Sequence, residues 1–239
     1  YEISLGLVGS EMCIRDRFLG WSLGANDAAN VFGTAVGSRM VRFTTAALIC
    51  GIFVILGAII GGTGPEGRGL GLRFALSGYK VTIGSRDHDR ASQVAHEMSV
   101  LGGGISLDGM ANLAAVDHAE YVVLSVPFGG LAPVIQELRS SLTGKLVISI
   151  VAPLDFSTGR PRSLAVPEGS AAELASSMLP GVCVTCAFHN LSAHELLVPD
   201  HDIEGDIVVC GDNESDRLDG MGLTESIKNL RAIDGGALD

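Results

Sequence analysis

The sequence predicts an α/β protein, a doubly wound parallel sheet preceded by an apolar helical segment that looks like a membrane span. Three observations carry that prediction. Between residues 58 and 85 an apolar run, a glycine-rich turn, a small-residue helix and a second apolar run follow one another. Beyond them, short apolar runs alternate with helical stretches, the order that builds a parallel sheet. Charge divides the chain as well. Acids and bases balance over 1–62, so everything after Gly62 holds the whole net charge of −11. No formal charge occurs between Arg42 and Glu66, a stretch long enough to cross a bilayer.

Composition narrows the function classes. With 18% charged and 47% hydrophobic residues the chain can bury a core and is not disordered. Its acidic body, with scattered Lys and Arg, argues against nucleic acid as a partner. Five unevenly spaced cysteines (Cys13, Cys50, Cys183, Cys186, Cys210) suggest no disulfide framework, and they point to a reducing, cytoplasmic compartment.

The part of the chain before Thr63 is heterogeneous. Tyr1–Arg17 lacks the basic and apolar regions of a secretory leader and resembles translated library-adapter sequence. It is expected to be an artefactual leader. Gly24-Ala-Asn-Asp-Ala-Ala-Asn30 then sets polar side chains among small residues, and Phe43–Ile60 follows as an apolar run. Polar groups in such a stretch mark an ion or substrate path. Residues 18–57 resemble the sodium- or proton-coupled inorganic phosphate transporter (PiT) family, whose GANDxAN motif stands at Gly24–Asn30. That family needs two inverted copies to form its site, and a single copy is present. The expected organisation is a leader (1–17), a transporter-like fragment (18–57) and a soluble unit (58–239). Membrane association is expected only if 43–60 is a genuine span, as in a membrane anchor on an enzyme.

The unit that begins at Ala58 is justified element by element. Ala58–Gly62 predicts a first strand, Thr63–Leu76 a turn entering a helix, and Tyr79–Ser85 a second strand. Gly62, Gly64 and Gly67 form G-x-G-x-x-G inside this βαβ unit, the arrangement that binds dinucleotides in Rossmann-type folds. One glycine allows the tight turn, one the approach of pyrophosphate, one the packing of helix on strand. Pyrophosphate is expected at the helix start, where free N–H groups and the dipole favour anions.

The tip of the second strand selects the cofactor. NAD sites place a carboxylate there to hold the ribose 2'-hydroxyl. Here Gly84-Ser85-Arg86 ends the strand, Arg90 lies one helical turn on, and Asp87 comes only after Arg86. A hydroxyl and two guanidinium groups suit a 2'-phosphate, so NADP(H) is the expected cofactor. In the competing reading Arg86 and Arg90 form a solvated face beside Asp87 and Asp89.

Further along, the pattern predicts a helix over 88–99, a strand over 121–126, a helix over 131–142 and a strand over 146–150. Val126-Pro127-Phe128 falls at the carboxyl edge of its strand, where open α/β sheets bind ligands, although Pro127 and Phe128 could equally be packing. Ser170-Ala-Ala-Glu173 is a capping box opening a helix to Met178, and a strand is expected over 182–188. Cys183 and Cys186 are three apart in that strand and so point to opposite faces, and no metal site is expected. Cys183, Cys186 and Cys210 are read as small buried residues. His189 sits at the strand end before a polar loop, at the ligand edge of the sheet, whereas His194 and His201 read as solvated.

Ile60-Gly-Gly-Thr-Gly64, Gly84-Ser-Arg86, Ser170-Ala-Ala-Glu-Leu174, Ala187-Phe-His-Asn-Leu-Ser-Ala193 and Val209-Cys-Gly-Asp212, in this order, resemble the NADPH-dependent reductases of coenzyme F-420, a deazaflavin. The resemblance covers about residues 58–238. It implies hydride transfer between NADP(H) and the deazaflavin as co-substrate. It also implies Thr63, Gly64, Pro65 and Glu66 around the pyrophosphate and Ser85, Arg86 and Arg90 around the 2'-phosphate. His189, Leu191 and Ala193 would line the contact of nicotinamide with deazaflavin. His189 and Leu191 would position rather than titrate, since no general base is needed. The family continues past the region of Leu238 into helices that close the pocket and a homodimer, so truncation at the carboxyl end is expected. Two alternatives stand beside it: another NADP-dependent reductase of the pyrroline-carboxylate or metalloreductase type, or a phosphate transporter fragment.

Overall fold

A computed structural model describes residues 56–155 and 159–239. The chain divides between Phe53 and Val54, and the leader and most of the transporter-like segment lie outside the described residues. The order of elements is β1 (Leu56–Ile60), α1 (Pro65–Leu76), β2 (Lys80–Ser85), α2 (His88–Leu101), β3 (Leu107–Ala111), α3 (Asn112–Asp117), β4 (Tyr121–Leu124), α4 (Phe128–Leu138) and β5 (Leu146–Ser149). A small pair, β6 (Leu154–Asp155) and β7 (Arg162–Ser163), interrupts it. Then come α5 (Ala171–Met178), β8 (Cys183–Cys186), α6 (Ala193–Leu196), β9 (Gly205–Gly211), α7 (Glu214–Glu225) and β10 (Leu230–Gly236).

Eight strands form one sheet in the order β10-β9-β8-β5-β4-β1-β2-β3. The strand order reverses between β1 and β4, so the crevice beyond their carboxyl ends is where ligands bind in such sheets. Ile60 and Leu124 are register partners there, and both are fully buried. The strands from β3 across to β8 run parallel. The parallel-sheet expectation needs one correction, because β9 lies antiparallel to β8 and β10 follows β9. A short turn through α6 and residues 197–204 feeds β9 from the same edge at which β8 ends, and this reverses its direction.

Helices cover both faces, as a parallel sheet requires. One layer packs Ala115 and Val116 of α3, Leu131, Ile135 and Leu138 of α4 and Ala175 of α5 onto Ala58, Ile60, Val122, Leu124 and Val147. Helix α1 lies on the opposite face. A Cβ on its Gly71 would meet the side chains of Ile83, Ile59 and Val81.

Some boundaries differ from the sequence pattern for identifiable reasons. The apolar run expected to continue a membrane-like segment to Ile60 ends as strand β1, its Ala58, Ile59 and Ile60 buried between β2 and β4. A short apolar run fits a buried strand as well as a helix. Among the described residues no helix is long and apolar enough to cross a membrane. The fourth helix runs from Phe128 to Leu138 rather than 131–142. Leu142 is as buried as Leu138, but a turn brings it there, with Leu142 N–H on the Leu138 carbonyl. Strand β8 stops at Cys186 because Phe188 adopts φ +64, which a strand cannot continue. Ser170 caps α5 as expected, its Oγ accepting from Glu173 N–H at 3.0 Å.

Candidate active site: a dinucleotide cleft and the turn beside it

The turn after β1 is shaped by contact with β4. Gly61 sits at φ +78, and a Cβ there would strike the Ser125 carbonyl oxygen and lie 2.7 Å from Val126 Cγ1. Gly61 therefore supplies the tight turn, and it is absent from the sequence-derived set. Gly62 donates to the Ile59 and Gly84 carbonyls, tying the turn to its own strand β1 and to β2. A Cβ on Gly67 would lie 2.7 Å from Gly62 Cα, so the third glycine lets α1 pack on the turn. Gly64 caps α1 without a side-chain hydrogen bond, and Pro65 follows it. The first amides of α1 are thus left to a ligand or to water. Glu66 lies in this first turn, and burial raises the pKa of its carboxyl group.

At the tip of β2, Ser85 is buried and its Oγ accepts from Asp87 N–H at 3.2 Å. Asp87 caps α2, its carboxylate accepting from Asp89 N–H at 3.0 Å and Arg90 N–H at 3.2 Å. The nearest carboxylate is therefore engaged by the helix. Arg86 and Arg90 are exposed and form no ion pair among the described residues.

These pieces meet in one cleft of about 470 Å³. Gly61, Thr63 and Gly64 line it from the first turn, Ser85, Arg86 and Arg90 from the second strand, and Val126 and Pro127 from beyond β4. Pro133, Val134 and Glu137 of α4 and Asn112 of α3 also line it. Gly62, Pro65, Glu66 and Gly67 build the turn without lining the cleft. Among the buried side-chain atoms, Asn112 Oδ1 has no hydrogen-bond partner.

His189, Leu191 and Ala193 are not in that lining. They occupy the turn after β8, two strands from β4 along the same carboxyl edge. His189 is exposed; its ring hydrogen-bonds the backbone of Val151, just past β5, and partial desolvation shifts its pKa down. Phe188 carries strain in its left-handed backbone, and its ring, 1% exposed, packs edge-on against Phe74 of α1 at 5.9 Å.

Residues 57–153 match the family described as NADP oxidoreductase, coenzyme F-420-dependent, and residues 23–67 match the phosphate transporter family. Over 194 residues the chain is 37% identical to the F-420-dependent NADP reductase of Methanothermobacter thermautotrophicus, a match spanning 79% of this chain and 84% of that one. The chain belongs to the F-420-dependent NADP reductase family. The corresponding reductase of Methanocaldococcus jannaschii is 37% identical over 188 residues, or 76% of this chain and 84% of that one. A solved structure from Arthrobacter sp., a candidate F-420-dependent NADP reductase, shares the fold with TM-score 0.66 at 24% identity, covering 77% of this chain and 85% of that one. The transporter match overlaps the reductase match at 57–67, which the structure folds as β1 and the glycine turn.

In this reductase-family chain the turn bearing His189 is held from α1, by residues that the sequence pattern did not single out. Arg73, 8% exposed, donates from Nε to the Leu196 carbonyl, from Nη1 to His201 and from Nη2 to Glu195 and Val198. A Cβ on Gly69 would collide with Leu196 Cβ, so glycine is what allows α6 to lie against α1. One face of the helix that starts at the dinucleotide turn thus fixes the loop expected to meet the second substrate.

Of the cysteines, Cys183 is buried as expected, while Cys186 and Cys210 are half-buried cross-strand partners. Burial and the neighbouring Cys210 push the Cys186 thiol up to about 11, so it stays protonated at neutral pH. Among the described residues no group of three or more His, Cys, Asp or Glu gathers as a metal site would.

Proposed function

We propose that this chain transfers a hydride between NADP(H) and the deazaflavin coenzyme F-420, reversibly and without a metal. The observation that carries the reading is the cleft at the reversal of strand order. It joins an uncapped helix start to two guanidinium groups that have no carboxylate partner among the described residues, in a chain 37% identical to reductases of that name. The residues fit the dinucleotide. The first turn of α1 would take the pyrophosphate on its amides. Ser85, Arg86 and Arg90 would take the 2'-phosphate, and Asp87 could not readily serve a free 2'-hydroxyl while it caps α2. Gly61 would let the ligand lie close to β4, and Val126 and Pro127 would direct it towards β5 and β8.

When bound, NADPH supplies the hydride and the deazaflavin ring receives it. The protein's work is to hold the two rings with reacting carbons roughly 3–3.5 Å apart and to exclude water. In this reading His189, which bonds Val151, and Leu191 and Ala193, just before the loop that Arg73 holds, would do so. The reading extends to a cytoplasmic, homodimeric reductase unit of about residues 58–239, with 1–17 a leader and 18–57 a transporter-like fragment. Stopped-flow mixing of NADPH with the oxidised deazaflavin tests it, the expected result being saturable loss of deazaflavin absorbance that NADH supports far less well. No loss of absorbance with a folded, NADPH-binding protein would overturn it.

A further inference from the structure

Asn112 poses a problem that the fold alone does not solve. It is 4% exposed, lines the cleft, and its Oδ1 is enclosed without any hydrogen-bond partner. Leaving a buried amide oxygen unmatched is unfavourable, and an apolar side chain of similar size would not carry that cost. A group kept at such a disadvantage in a binding cleft is explained by a ligand that completes it.

Register identifies what the ligand offers. Ser85 pairs with Ala111 across β2 and β3, so the next residues, Arg86 and Asn112, leave the sheet side by side. Gly84, their neighbour on β2, gives the amide its room, since a Cβ there would lie 3.2 Å from Asn112 Oδ1. We infer that the Asn112 carboxamide turns towards the cleft on binding and hydrogen-bonds the 2'-phosphorylated ribose of the dinucleotide, the enclosed Oδ1 coming out to accept from a ribose hydroxyl and Nδ2 donating to a phosphoryl oxygen. A carboxamide is suited to this sugar because it carries one acceptor and two donors, and the phosphorylated ribose presents both a hydroxyl hydrogen and anionic oxygens. The inference rests on the proposed NADP site and adds a determinant of its preference for the 2'-phosphate.

The test uses calorimetric titration of the full chain with 2',5'-ADP and with 5'-AMP, alongside thermal melts without ligand. The wild-type protein should bind 2',5'-ADP much more tightly than 5'-AMP. Asn112→Ala should weaken 2',5'-ADP by about 10-fold or more, the range of a charge-assisted hydrogen bond, while its melting temperature stays level or rises. Asn112→Asp should weaken it further, because a carboxylate beside the phosphate repels it. A structural asparagine would behave oppositely, with a lower melting temperature in Asn112→Ala, and that result overturns the inference. So does wild-type affinity in both variants. If the wild-type protein fails to bind 2',5'-ADP, the NADP site itself falls and this inference falls with it; with the first two results, the site survives.

Discussion

Replacing Arg73 with methionine isolates the link between the dinucleotide helix and the substrate turn. The guanidinium makes four hydrogen bonds to backbone carbonyls, three at 2.9 Å and the one to Val198 at 2.6 Å. A hydrogen bond to a charged group contributes about 1.5–3 kcal/mol, but the freed carbonyls can partly hydrate once the loop shifts. The net loss should therefore be about 3–5 kcal/mol, the size expected when a largely buried charged partner is removed. For a unit of this length that lowers the melting temperature by roughly 6–20 °C. Arg73→Lys keeps the charge but has only three donors and no planar fork, so about 1–2 kcal/mol is expected. Melts and amide exchange read the effect, with faster exchange concentrated at residues 193–201 and a raised KM for the deazaflavin. Unchanged stability together with unchanged exchange in Arg73→Met would refute the reasoning.

Two further outcomes follow from single groups. Arg86→Ala should raise KM for NADPH about 10- to 100-fold, the loss of one charge-assisted phosphate contact, and leave KM for NADH nearly unchanged. Equal effects on both cofactors would place Arg86 outside the 2'-phosphate site. Asp219 of α7 is half-buried beside Asp216, and burial first, then that neighbour, raises its pKa from 3.8 to about 6. The folded state therefore holds an extra proton between about pH 4 and 6, so this group's contribution is full below pH 4 and is lost as pH rises through 6. Two pKa units correspond to roughly 3 kcal/mol, which partial exposure to solvent reduces to about 1. Asp219→Asn should raise the melting temperature by roughly 2–4 °C at pH 7 and not at pH 4. A stabilisation independent of pH would count against this origin.

The parts of the fold legible in the sequence are those fixed by local pattern. Strand, glycine turn, helix and strand appear where the spacing of Gly62, Gly64 and Gly67 and the tip Gly84-Ser85-Arg86 put them. Ser170 caps its helix through a motif contained within Ser170–Glu173. What the sequence hid depends on contacts remote along the chain. Gly61 is required because the chain passes over it at Ser125, beyond β4 and far away in sequence. Arg73 looks like a solvated helix charge until the loop at 195–201 folds onto it. Strands β9 and β10 carry Asp206 and Arg231 on an exposed side, where the two pair directly across the strands. Their polarity masks the apolar alternation of Ile207, Val209, Leu230 and Ala232. Asn112 gave no signal at all, because being unsatisfied is a property of its surroundings.

The central claim, hydride transfer between NADP(H) and the deazaflavin, is tested most directly with isotopically labelled NADPH. With deuterium placed at carbon 4 of the nicotinamide, the account predicts that the label appears on carbon 5 of the reduced deazaflavin without exchange with solvent, since the hydride passes directly from carbon to carbon and the proton that completes the reduction is taken up separately. Loss of the label to water, or no reduction by a folded, NADPH-binding protein, would contradict it.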